Sequence, residues 1–75
     1  MKIKLNNPDE VNEFVAICDS FADHGIDVKY GSLVFDGRST VSMLNVMGHD
    51  VDVKIHAERA DKQEFEMQIE QFEVD

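Results

Sequence analysis

Asn7-Pro8-Asp9-Glu10 marks the point where a short opening strand gives way to a helix, and the order of the remaining elements is read outward from it. Asn is a residue type that caps helices by accepting a bond from a free amide. Pro8 suits the first helical position, because it has no N–H to leave unpaired, and Glu10 stands at the spacing of a capping box. Upstream, Met1, Ile3 and Leu5 alternate with Lys2, Lys4 and Asn6, the period of a half-buried strand. Downstream, Val11, Phe14, Val15, Cys18, Phe21 and Ala22 recur at helical spacing, with Asn12, Glu13 and Asp19 on the opposite side. Gly25 is expected to stop this helix in a left-handed conformation, with His24 beside the negative end of the helix dipole.

Beyond that stop, Ile26, Val28 and Tyr30 alternate with Asp27 and Lys29, Gly31-Ser32 offers a turn, and Leu33-Val34-Phe35 resumes in strand-favouring residues. Asp36-Gly37 breaks this second arm of a hairpin. Thr40, Met43, Leu44 and Met47 then predict a short helix behind Ser39 as cap, ended by Gly48. Val51, Val53, Ile55 and Ala57 alternate with Asp52, Lys54 and His56 as a further strand. Asp61 with Glu64 repeats the capping-box spacing, and Phe65, Ile69 and Phe72 mark one helical face. Phe65, Met67 and Ile69 also alternate, so periodicity alone leaves a strand open there, although Gln, Glu and Met favour helix. The order β-α-β-β-α-β-α implies an α+β fold of two layers, an antiparallel sheet covered on its apolar face by helices.

The 75 residues fit one domain, 1–75, with room for one core. Sixteen acids against seven bases give a net charge of −9, which repels a phosphate backbone, so neither nucleic acid nor an anionic membrane is an expected partner. Cys18 is the one cysteine, so no internal disulfide forms, and its place on the apolar face reads as a small reduced hydrophobe. With no signal-peptide pattern and no membrane-length apolar run, a cytoplasmic location is expected.

Over nearly its whole length the chain resembles the HPr family, the phosphocarriers of the bacterial phosphoenolpyruvate:sugar phosphotransferase system. Phe14-Val15 and Phe21 match the pattern of the family's first helix. Asp27-Val28 and Tyr30-Gly31 resemble its second strand and turn, and Asp36-Gly37-Arg38-Ser39 the approach to its second helix. Val51 to Ala57 and Asp61 to Phe72 resemble its fourth strand and last helix. The resemblance implies an open-faced sandwich with strand order 1-4-2-3 and three helices on one face. Aligned without a gap, the family's phosphorylated histidine falls on Asn7 and its arginine on Asp9, a degenerate phosphoacceptor position. An amide cannot serve as the nucleophile, and a carboxylate opposes an incoming phosphate. Thr40-Val41-Ser42 stands where relatives carry Ile-Met-Gly, and the segment up to the fourth strand is shorter.

The expected function is therefore a non-catalytic, HPr-like interaction or regulatory module, binding protein partners of the phosphotransferase system or its control network and needing no cofactor. The alternatives are a genuine phosphocarrier with an atypical acceptor such as His24, and a small structural or dimerising domain. Ser39 behind Arg38 matches the serine phosphorylated by a dedicated kinase in many Gram-positive relatives, so the resemblance implies a regulatory phosphosite; the plainer reading is a helix cap. Thr40, Met43 and Val46 are candidate partner-binding residues, with Leu44 and Met47 assigned first to the core. His24, His49 and His56, near Asp23, Asp50 and Asp52, lack a recognised metal-ligand spacing and read as surface histidines. No metal site is expected.

Overall fold

A computed structural model describes residues 1–74. The elements are β1 (Lys2–Lys4), α1 (Pro8–Asp19), β2 (Gly25–Tyr30), β3 (Leu33–Asp36), α2 (Thr40–Asn45), β4 (Asp50–His56) and α3 (Arg59–Ile69), followed by a 3-10 turn at Glu70–Phe72. The four strands form one antiparallel sheet in the order β1-β4-β2-β3. Periodicity leaves helix and strand open for the segment around Phe65, residue propensity favours helix, and helix is what forms. Phe65 and Ile69 both reach the core from one helical face.

The covered face of the sheet carries Val51, Val53 and Ile55 from β4, Ile26 and Val28 from β2, and Ile3 from β1. Against them pack Val11, Phe14, Val15 and Cys18 of α1, with Phe65, Ile69 and Phe72. No polar or charged side chain is buried among the described residues, so desolvation of apolar surface organises this interior. Two edge-to-face aromatic pairs join α1 and the turn after it to the C-terminal segment: Phe14 with Phe72 at 6.3 Å between ring centroids, and Phe21 with Phe65 at 5.3 Å.

The other face of the sheet is a lattice of alternating charge. Lys2 and Lys29 flank Asp52, Lys4 lies opposite Asp50, and Lys54 lies opposite Asp27. The bases outside this face are Arg38, Arg59 and Lys62, so the negative surplus of the chain lies over the helices and their connections.

Three boundaries depart from expectation. α1 ends at Asp19, not at Gly25: the Ser20 amide bonds back to Ala16 and Ile17, the Ser20 hydroxyl donates to Ile17 O at 2.6 Å, and successive turns carry the chain to β2. Gly25 is the first residue of β2 and lacks a positive φ, so His24 lies beyond the helix end. α3 starts at Arg59 behind Glu58, and Asp61 falls within its first turn. The two left-handed glycines are Gly31 and Gly48. Gly31, at φ 60°, supplies the first central position of a two-residue hairpin turn, and Gly48, at φ 84°, turns the chain out of α2.

Candidate functional site

At the start of α1, Asn7 accepts the Glu10 amide on Oδ1 at 2.9 Å. Glu10 returns the contact, accepting the Asn6 amide on Oε1 at 2.8 Å and the Asn6 side-chain amide at 3.2 Å. A helix N-terminus binds anions through unpaired N–H groups. Here Pro8 has none, the Glu10 N–H is taken, and Asp9 and Glu10 add two carboxylates to the first turn. The cap at Asn7 is thus largely occupied by its own neighbours, and its carboxylates oppose phosphate.

Ser39 caps α2, its Oγ accepting the Ser42 amide at 3.3 Å while its own amide donates to Asp36 O at 3.0 Å. Arg38 is hydrogen-bonded beside it. Its amide and Nε both donate to Asp36 Oδ1, at 2.9 and 3.3 Å, and its guanidinium also donates to the Ala22 carbonyl at 2.8 Å. The arginine thereby pins the turn after α1 to the turn before α2. The amide and side-chain bonds from Arg38 hold the Asp36 carboxyl below its ordinary range, and the same pairing raises the guanidinium pKa further.

The candidate partner surface on α2 needs correction. Thr40 is exposed as expected, but Met43 is 0% exposed and Val46 is 3% exposed, so both side chains belong to the core. The residues presented to solvent are Val41, 72% exposed, and Leu44, 44% exposed. The reason is local geometry. Val46 N bonds to Met43 O and Met47 N to Leu44 O, so the end of the helix is wound with three residues per turn. Met43 and Val46, three residues apart, lie on the inward side, and Leu44, turned about 100° from Met43, faces outward. The sequence signal for Val41 and Leu44 was their lack of any charged neighbour on a helix with only one and a half turns to bury.

His24 donates from Nε2 to Asp61 Oδ2 at 3.1 Å, joining the turn after α1 to the first turn of α3. A shallow depression of about 180 Å³ opens there, lined by Ser20, Phe21, Ala22, Asp23, His24 and Asp61. Its carboxylates disfavour an anionic phosphoryl donor. His56 pairs with Asp27 at 2.7 Å on the open sheet face, and His49 Nδ1 lies 3.4 Å from the Tyr30 hydroxyl. Among the described residues no three His, Cys, Asp or Glu converge as metal ligands. No described helix is long and apolar enough to cross a membrane. Comparison of the chain with family models, with curated proteins and with solved structures gives no match.

Proposed function

We propose that this protein is an HPr-like interaction module without phosphocarrier chemistry, and that it docks a protein partner of the phosphotransferase system or its control network through Thr40, Val41 and Leu44. The observation that carries the reading is the pairing of a sealed α1 cap with an apolar, uncharged, solvent-facing α2. Val41 and Leu44 expose apolar area that the core does not use, as docking helices do. The resemblance supports the same helix, since the family docks its partners there.

Ser39 is the control point within this reading. A phosphate on it would replace the hydroxyl that now caps Ser42 and set negative charge beside Val41. Arg38 contributes little to that phosphate while Asp36 and the Ala22 carbonyl hold it.

Two measurements test the proposal. Incubation with phosphoenolpyruvate and enzyme I leaves the protein unlabelled, and label that vanishes in His24→Ala overturns the non-catalytic reading. In titrations against purified phosphotransferase proteins, the parent chain shows amide shifts centred on α2 that Val41→Glu and Leu44→Glu abolish. Binding that survives both variants removes α2 as the docking surface.

A further inference from the structure

We propose that a second copy of this chain pairs antiparallel with β3, joining two four-stranded sheets into one continuous eight-stranded sheet. The two ends of the sheet differ. At β1 the outer edge is closed, because Glu73 bridges Ile3 and the Val74 amide donates to Lys2 O at 3.0 Å. At β3 the outer edge is open. Gly37 N bonds to Ile26 O, which fixes the alternation: residues 33, 35 and 37 bond toward β2, while Val34 and Asp36 direct their backbone groups outward. Asp36 O is taken by Ser39, leaving both groups of Val34 and the amide of Asp36 to meet another strand.

Edges of this kind are ordinarily protected by Lys, Pro or a bulge, and Leu33-Val34-Phe35 has none of these. Leu33 is 56% exposed and Val34 is 59% exposed. The occupant follows from charge. Across residues 30–48, in a chain of net charge −9, the charged side chains are Asp36 and Arg38, and they neutralise each other at 3.3 Å. This is the flank where two like-charged copies approach at least cost. A basic strand would gain nothing from it, since the acids lie over the helices, away from this neutral flank.

The strand is also self-complementary. With Val34 opposite its own counterpart on a two-fold axis, Leu33 meets Phe35, Ser32 meets Asp36, and no like charges are opposed. A parallel arrangement would set Asp36 against Asp36. The axis runs perpendicular to the sheet, so both helical layers lie on one side and the uncharged α2, which packs on β3 and α1, is the helix nearest the junction. Because the β1 edges at the far ends are closed by Glu73, assembly stops at two copies.

The inference is independent of partner docking on α2. The test is sedimentation equilibrium of the full chain from micromolar to millimolar concentration, at low and high salt. The parent is expected to pass from 8.5 kDa to twice that mass. Added salt should strengthen the association, as it screens the like net charges. Val34→Pro removes the outward amide, and Val34→Lys places two cations on the axis. Each should weaken the dimer by more than about tenfold. Amide exchange at Val34 should slow as the parent dimerises, a readout that stands even if Val34→Pro fails to fold. A parent that stays monomeric at millimolar concentration and high salt overturns the proposal. So does a dimer that tolerates Val34→Lys, or one lost in Val41→Glu and kept in Val34→Pro.

Discussion

Gly37 lies hard against Ile26. A Cβ built on the glycine would stand 2.8 Å from Ile26 Cγ2 and 3.2 Å from Cys18 Sγ. The close approach lets the turn after β3 fold down onto α1, and it sets the position of Arg38 and Ser39. Gly37→Ala should destabilise the domain by about 1–3 kcal/mol through overpacking, read as a lower urea midpoint at unchanged slope. A variant as stable as the parent would mean that the turn relaxes without cost.

Cys18 sits on the other side of that contact and is 0% exposed. Burial, reinforced by the negative charges of Asp19 and Asp36, pushes its thiol from 9.0 up to about 12. The folded chain therefore keeps a proton that the unfolded chain releases. The resulting stability is intact below pH 9 and declines as the pH rises toward 12. Cys18→Ala should flatten this alkaline loss while costing some packing at neutral pH. In the native parent the thiol should resist Ellman's reagent until unfolding.

The two sides of α2 should respond differently to the same substitution. Met43→Glu buries a charge in the core and should cost on the order of 4 kcal/mol or more. Val41→Glu and Leu44→Glu should stay within about 0.5 kcal/mol of the parent. Thermal melts of the three variants decide it, and a mild effect for Met43→Glu would refute the inward orientation of that side chain.

Asn7 should matter for stability and not for phosphoryl transfer. Asn7→Ala is expected to cost about 1 kcal/mol, and Asn7→Gly only a few tenths, because glycine tolerates the extended cap backbone. No loss in either variant would show that the side-chain bond to the Glu10 amide contributes nothing.

Which parts of this architecture were legible depended on how much local chemistry each part contained. The α1 start was legible because Asn7, Pro8 and Glu10 satisfy its first amides within four residues. β4 was legible because each alternate residue from Val51 to Ile55 is buried. The end of α1 was not, since Phe21 continues the apolar spacing past Asp19 yet reaches Phe65 from a turn. The face of α2 was misread at Met43, Val46 and Leu44 because six residues are too few to fix the inward side by periodicity, so it depends on where the flanking chain is anchored. One such anchor is the bond from Gly48 N to Leu5 O, which no local pattern announces. Likewise, nothing near Arg38 in the sequence points to the Ala22 carbonyl.

The three-residue strand β1 has partners far down the chain: Ile3 pairs with Val51 and is bridged by Glu73, while Phe14 waits for Phe72 to cover it. A chain growing from its N-terminus can form α1 and the β2–β3 hairpin early, but it completes the sheet only with β4 and covers Phe14 only with Phe72. Until then, the apolar faces of α1 and β2 stay open to water. The contacts made by Phe72 and Glu73, last in sequence order, thus decide when the apolar interior is finally withdrawn from water.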